Sequence, residues 1–366
     1  MGISLEERDR RYRAIRELMA REELDSLLIA GRGDHMSRGN IRYITNYGII
    51  TGEQYCVFPS TGAPIFIARK TPFLAKLREA GWIPAFSETS NPQEQVKKEL
   101  SNFDRGNKVG IVGMTDISVP MYLAVQAEFP DRVIDATYIF KQTRLIKSPE
   151  EIEKMQKSAS IADKVFTTLR DMIRPGLSDY KIYGEVRRII HEMGCEYSME
   201  LIDAETTKAN LFYPTGDMLQ TDGTLALEIT PSYDGYYTQL AVSLPVGEYP
   251  PRIRGMIHVW KEALKAAVDI LRPGIKVSDV YQLISNVIRD AGYSSLGQRY
   301  GHGIGLDVVD FWSLTESETM ELKPGMTLAL HPGMLLEHEE DGIGMGYTYL
   351  ITDTGSKRLN KVEIVG

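Results

Sequence analysis

The feature that most restricts how this chain can fold is an internal repeat. The stretch IRPGLSDYKIYGEVRRIIHEMG, Ile173 to Gly194, lines up without gaps against LRPGIKVSDVYQLISNVIRDAG, Leu271 to Gly292. Arg-Pro-Gly begins at 174 and again at 272, a shift of 98, and the closing glycines at 194 and 292 keep that shift. Tyr183 meets Tyr281, and Ile189-Ile190 meet Val287-Ile288. Proline and glycine interrupt helices, so each copy starts at a break in the chain. Each is preceded by a long helical pattern and followed by strand-like sequence. Two such helix–helix–strand units predict a pseudo-twofold domain with a site between its halves. A chance pairing of two unrelated helices would not hold one register throughout.

Upstream of the repeat the pattern is different. SLEERDRRYRAIRELMAREEL sets Leu5, Tyr12, Ile15, Leu18 and Met19 on a helical stripe against a charged background. DSLLIA reads as a short buried strand, QYCVFPSTGAPIFIA as a hairpin turning at Ser60-Thr61-Gly62, KVGIVG as a further strand and VPMYLAVQAEF as a helix. Alternating helices and strands argue an α/β domain. At 366 residues the chain exceeds one ordinary core. The expected organisation is an α/β N-terminal domain over residues 1–143 and an α+β duplicated domain over residues 144–366. Ser148-Pro149-Glu150-Glu151 opens the first long helix of the second domain: Ser148 caps, Pro149 takes the first helical position, and Glu151 stands three residues after the cap. Pro175-Gly176 ends it.

The formal net charge of −8 gives no general attraction to nucleic acid or anionic lipid, so neither is an expected partner. No apolar run approaches membrane-spanning length, and MGISLEERDRRYR lacks the apolar core of a signal peptide. Gly2 alone does not make a myristoylation signal, because Glu6 stands where a serine or threonine is wanted. Two cysteines, Cys56 and Cys195, are too few for a disulfide framework, and a reducing cytoplasm fits best.

Three stretches carry chemistry. RYGHGIGLDVV, Arg299 to Val309, frames His302 with Gly301 and Gly303, and Gly305 follows. Glycines let backbone approach closely, so this histidine is placed for contact with something small, a metal being the obvious candidate. RLIKSPEEIEKM, Arg144 to Met155, and LKPGMTLALHPGM, Leu322 to Met334, complete the set. Together these motifs resemble the creatinase, aminopeptidase P and prolidase family, and the resemblance covers almost the whole chain, including LDSLLIA and IRYITNYG. It implies a small α/β N-terminal domain and a duplicated pita-bread catalytic domain, in agreement with the repeat.

Peptidases of this family hold two divalent metals with two aspartates, one histidine and two glutamates. Carried over by position, Glu228 stands for the first aspartate, Gln239 for the second eleven residues on, His302 matches the histidine, His331 replaces the first glutamate and Gly346 the second. A neutral amide is a poor substitute for a bridging carboxylate. The expectation is therefore no bound metal and no cofactor. The family also contains metal-free enzymes. Creatinase hydrolyses an amidino C–N bond, and ectoine hydrolases resemble this chain in carrying a glutamate at the position of Glu228, where it is implicated as a nucleophile.

The reading from sequence is a metal-independent hydrolase acting on a C–N bond of a small polar metabolite, with peptidase activity not expected. Glu228 is nucleophile or base, with His302 and His331 as acid and base. A carboxylate in the apolar run TLALEI needs a partner or a raised pKa. Tyr237, Gln239 and Tyr347 line the pocket as substrate-binding residues. His35, in the glycine- and charge-rich GRGDHMSRGN, and Glu53, in ITGEQYC, are the N-terminal domain's substrate-binding candidates. GRGDH is not a phosphate loop, lacking the GK[ST] ending. His191, His258 and His338 read as solvated surface. The resemblance further implies a homodimer in which one N-terminal domain helps close the neighbouring site. The alternatives are a mononuclear metal-dependent hydrolase or peptidase held by Glu228, His302 and His331, a decarboxylase or lyase on the same scaffold, and a non-catalytic binding protein.

Overall fold

The structure, a computed structural model, describes residues 2–48, 52–69, 75, 82–83, 85–204, 211–336 and 341–365; His338 lies outside them. It divides into two compact units, Met1–Leu145 and Ile146–Gly366. In the first, α1 (Leu5–Arg21), β1 (Leu24–Arg32), α2 (Gly39–Thr45), β2 (Glu53–Pro59), β3 (Ile65–Arg69), β4 (Ala85–Thr89), α3 (Pro92–Ser101), β5 (Lys108–Val112), α4 (Val119–Glu128), β6 (Val133–Asp135) and α5 (Thr137–Leu145) follow in order. The six strands form one mixed sheet in the order β4-β3-β2-β1-β5-β6. The expected hairpin is β2–β3, antiparallel, with Tyr55 opposite Ile67. Leu28, Ala30, Val57, Val109 and Ile111 of the sheet form a core with Val96 and Leu100 of α3 and Met121 and Val125 of α4.

Helix α1 departs from its expected stripe. Leu5 is 52% exposed, while Glu7 and Arg11 are buried beside Tyr12, Ile15 and Met19. The two charges can be buried because they satisfy each other: Arg11 Nε donates to Glu7 at 2.8 Å, and Arg11 Nη1 donates to the Tyr43 carbonyl at 2.9 Å. Simple hydrophobic periodicity cannot register such a pair.

The second unit runs α6 (Pro149–Met172), α7 (Asp179–Glu192), β7 (Tyr197–Asp203), β8 (Thr224–Tyr233), β9 (Tyr236–Tyr237), β10 (Leu240–Pro245), α8 (Pro251–Ile270), α9 (Val277–Asp290), β11 (Tyr293–Ser295), β12 (Gly301–Gly303), β13 (Thr327–Leu330), β14 (Gly333–Leu336), β15 (Gly342–Gly344), β16 (Tyr347–Ile351) and β17 (Ser356–Arg358). Ser148 and Glu151 form the capping box, each side chain bonding the other's backbone. The repeat is visible down to single hydrogen bonds. Helices α7 and α9 begin 98 residues apart and end 98 residues apart. Gly176 and Gly274 both have left-handed φ, 79° and 85°, and their amides donate to Leu219 and Leu322 respectively. The repeat unit is thus a helix pair with a turn pinned by a later extended segment.

Each half supplies a sheet. β10-β8-β7 forms one, with β9 on β8, and β12-β13-β16-β17 the other, while β11-β14-β15 makes a small third. The two larger sheets are sewn together where β10 meets β16. Ala241 and Gly346 exchange backbone hydrogen bonds at 3.1 and 2.9 Å, and Thr348 Oγ1 both accepts from the Gln239 amide at 2.9 Å and donates to its carbonyl at 3.0 Å. A Cβ at position 346 would lie 1.8 Å from the Leu330 carbonyl oxygen and 2.5 Å from the His331 Cα. The seam is closed at that point, and no side chain can leave it.

On the helix-facing side of β7 sits Glu200, 0% exposed, with Arg187 Nε 3.3 Å from its carboxylate and neither oxygen hydrogen-bonded among the described residues. Burial pushes its pKa up to about 7, against the pull of Ser198 and Arg187. Both cysteines are buried free thiols. No helix among the described residues is long and apolar enough to cross a membrane.

Two stability predictions follow from these burials. Because the folded pKa of Glu200 lies above its unfolded value, the folded state holds the extra proton, and stability falls as pH rises from about 4.5 through 7. Glu200→Gln removes that penalty and should stabilise the protein at pH 8 by about 1–3 kcal/mol in urea unfolding, flattening the decline; a loss of stability at pH 8 contradicts the assignment. Gly346→Ala should destabilise by at least about 1–3 kcal/mol through forced overpacking, whereas Gly297→Ala, which meets nothing within 4 Å, should be near neutral. Equal unfolding midpoints for the two variants would mean the seam is not closed.

Candidate active site

Glu228 sits in the middle of β8, between Leu201 of β7 and Ala241 of β10. Alternation along a strand puts Gln239, two residues before Ala241, on the same face of the sheet. Glu228 is half-buried, and desolvation raises its carboxyl pKa to about 7, opposed by the positive charge of Arg299 and a hydrogen bond donated by the Gln239 amide. The other end of that amide faces β12: Gln239 Oε1 lies 3.1 Å from His302 Nε2. Gln239 therefore links the carboxyl of one half of the repeat to the imidazole of the other.

His302 is fully buried, its Nδ1 3.0 Å from the Gly303 carbonyl. His331, just past β13, stacks edge-on against it with ring centroids 5.3 Å apart. Its backbone amide donates to Tyr300 at 2.9 Å, which ties it to the strand that carries His302. Burial drives both imidazoles toward the neutral form, helped by the nearby Arg299 charge: His302 is held well below the ordinary histidine value, and His331 falls to about 4. His331 Nε2 is buried without a hydrogen-bond partner among the described residues. Such an atom costs about 1–3 kcal/mol when nothing engages it, so the position is suited to receive a polar group.

The framing glycines serve packing rather than a ligand. A Cβ at 301 would lie 2.3 Å from the Ala329 carbonyl oxygen, at 303 it would lie 2.3 Å from Trp312 Nε1, and at 305 it would lie 2.5 Å from Asp310 Oδ2. That aspartate forms a buried ion pair with Lys147 at 2.9 Å. Close approach is required, as the sequence indicated, but the neighbour is the protein itself.

The other sequence candidates divide. Tyr237 is buried beside Gln239, and its amide donates to the Gly305 carbonyl at 2.7 Å. Tyr347 does not offer its hydroxyl to the site. That group accepts from the Ile364 amide at 3.1 Å and lies 3.5 Å from Glu363, with the Arg358 guanidinium 4.5 Å from the ring centre. Tyr347 anchors the C-terminal segment, a correction to its reading as a substrate contact. His35 and Glu53 belong to the first unit. His35 lies half-buried in a turn, and Glu53 accepts from Tyr55 Oη at 2.6 Å in a cavity of about 430 Å³ lined by Gln93, Ser118 and Met121. His191 and His258 are exposed, as expected. Arg299 was missed, although it stands three residues before His302; its exposed side chain donates to Ser313 Oγ at 3.2 Å, and its charge acts on Glu228 and both histidines. A cation next to the glycine frame was the available signal.

The residues at the family's ligand positions do not fit a metal pair. Gln239 spends its amide oxygen on His302 Nε2, which is thereby engaged, and position 346 has neither a side chain nor room for one. Among the described residues no group of three or more His, Cys, Asp or Glu is placed to hold a metal ion.

Comparison with known proteins gives the lineage. Residues 153–353 match metallopeptidase family M24, and residues 11–146 match the creatinase/prolidase N-terminal domain. A Xaa-Pro dipeptidase of Lactobacillus helveticus is 26% identical over 81% of this chain and 83% of its own length, and one of Pyrococcus horikoshii is 24% identical over 96% and 97%. In fold, the prolidase of Pyrococcus furiosus superposes with a TM-score of 0.82 at 21% identity, covering 95% of this chain and 99% of that one. The X-Pro aminopeptidase of Thermotoga maritima gives 0.85 at 17% identity, covering 96% and 98%. These likenesses overturn the expectation of a metal-independent C–N hydrolase of the creatinase or ectoine hydrolase kind, and with it the exclusion of peptidase activity: the two sequence relatives are named Xaa-Pro dipeptidases and the matching family is one of metallopeptidases. The substitutions at ligand positions are local, whereas the scaffold follows the peptidases over almost its whole length. The chain belongs to metallopeptidase family M24, with a creatinase/prolidase-type N-terminal domain.

Proposed function

We propose that this chain is a peptidase that hydrolyses the amide bond of a short peptide, with Xaa-Pro dipeptides as the substrate class. Kinship with proteins named Xaa-Pro dipeptidase supports the class of reaction. The observation that carries the assignment of residues is the meeting of the two halves at Gln239, which shares a sheet face with Glu228 and lies 3.1 Å from His302 Nε2, with the open Nε2 of His331 beside it. A carboxyl with a pKa of about 7 can take a proton from an attacking water and return it to the leaving nitrogen at neutral pH. Gln239 holds that carboxyl in place, and the unengaged His331 Nε2 offers the substrate a polar contact. Tyr237, buried next to Gln239, is pocket wall. In the first unit, His35 and Glu53 are assigned to substrate contact.

The homodimer implied by the family resemblance is part of the same reading, as is a cytoplasmic setting, which the two buried free thiols support. Sequence spacing supports a domain boundary near residue 144, ahead of the Ser148 cap.

The test is proline release from glycyl-, alanyl- and leucyl-proline by the purified chain, measured with chelator and with Mn²⁺, Co²⁺ or Zn²⁺ supplied. Wild type is expected to release proline in at least one arm, and Glu228→Gln to lower that rate by about a hundredfold or more with unchanged folding. Absence of proline release in every arm contradicts the reading, and wild-type turnover in Glu228→Gln removes Glu228 from the chemistry.

A further inference from the structure

The loop that follows His302 is closed by its own backbone. The Gly303 amide donates to the Trp312 carbonyl at 3.0 Å, and the Gly303 carbonyl accepts from the Asp310 amide at 2.8 Å. That same carbonyl lies 3.0 Å from His302 Nδ1, so its position decides how the ring is turned. Closure strains the chain: Phe311, between the two contact residues, holds a left-handed φ of 71° that an aromatic residue disfavours. Something must keep Asp310 in place against that strain. Its carboxylate lies 2.9 Å from Lys147 Nζ, with the lysine side chain 3% and the aspartate side chain 2% exposed. Lys147 is itself fixed, since its amide donates to the Gly325 carbonyl at 2.9 Å and it directly precedes the Ser148 cap of α6. Gly305 completes the enclosure, for a Cβ there would lie 2.5 Å from Asp310 Oδ2 and 2.9 Å from Lys147 Cε.

We propose that Lys147 and Asp310 are positioning residues, whose buried ion pair fixes the Gly303 carbonyl and through it the orientation of the His302 ring. A buried ion pair is a poor source of stability. Removing both charges from water offsets most of their attraction, and apolar residues of like size often serve as well. What the pair supplies, and apolar packing does not, is direction: an ammonium and a carboxylate oxygen at hydrogen-bond distance favour one geometry. Here that direction is applied to the residue whose amide holds the Gly303 carbonyl, one position before the strained Phe311. Without it the loop is free to relieve Phe311 by shifting that carbonyl, and the imidazole turns with it.

The experiment compares the full-length wild type with Lys147→Met/Asp310→Asn, which removes both charges while nearly keeping both shapes. Asp310→Asn alone strands a buried ammonium, so the double variant is the decisive one. Urea midpoints are measured beside ¹⁵N-histidine spectra, with His302→Gln assigning the ring signals, and beside the kinetics of proline release. The double variant should keep the wild-type midpoint and the wild-type amide spectrum away from the loop. Its His302 ring nitrogens should broaden or merge as the ring samples more than one setting. The kcat should fall about tenfold or more with KM unchanged, because a misplaced group loses rate rather than binding. Wild-type His302 signals in the double variant overturn the proposal, as does a lost fold or a raised KM at unchanged kcat. The kinetic arm rests on the peptidase reading, whereas the ring signals do not. A wild type that releases no proline refutes that reading and leaves the His302 signals to decide this one.

Discussion

The structure of the second unit depends on one seam, the backbone bridge between Ala241 and Gly346 with Thr348 clamping both backbone groups of Gln239. It joins the sheet of one repeat half to the sheet of the other, and every polar residue of the candidate site is positioned from it. Glu228 is the cross-strand neighbour of Ala241, Gln239 stands two residues before it, and β13 pairs with β16 so that His331 follows directly on the strand beside Gly346. A side chain at 346 would collide with the Leu330 carbonyl, so the closeness of the two sheets and the absence of a ligand at that position are one fact.

That closeness sets the chemistry. In a dinuclear peptidase site, two cations would balance carboxylates from both halves. Here the groups from the two halves meet through a neutral amide and two neutral imidazoles; burial drives Glu228 up and both histidines down, and the charge of Arg299 opposes the first shift and adds to the other two. The Gln239–His302 hydrogen bond joins the two halves, while His331 Nε2 is left without a hydrogen-bond partner among the described residues. The same scaffold that elsewhere carries a metallopeptidase therefore presents a partly desolvated, weakly charged recess with Arg299 near it.

Much of this was legible in the sequence. The ungapped repeat gave the matched helix pairs, because Arg-Pro-Gly and the closing glycines mark both ends of each copy. The Ser148 capping box was equally local. Glu228, His302 and His331 could be placed from family motifs, since position in a repeat is inherited even when the residue type changes. What escaped were effects that need three dimensions. The glycines around His302 looked like room for a ligand, yet they make room for Trp312, Ala329 and Asp310, which only the folded chain brings against them. Tyr347 follows the lost ligand position, but alternation along β16 turns its ring toward Arg358 and the C-terminal segment. Arg299 had one local signal, its place three residues before His302, but its electrostatic effect on groups from other strands needs the fold. The inference from lost ligands to a different reaction class failed for another reason: ligand residues report on metal chemistry, whereas lineage is written along the whole chain.

The central claim is that the two imidazoles sit in a desolvated pocket whose polar links cross between the repeat halves, and histidine NMR reads this most directly. With ¹⁵N-labelled histidine, and with His302→Gln and His331→Gln variants to assign the signals, the ring nitrogens can be followed as pH is lowered. The account predicts that His331 stays neutral until about pH 4 and that His302 stays neutral below its ordinary range. Protonation of His302 or His331 near pH 6.5 would mean that the pocket is open to solvent, and the account of the site would be wrong.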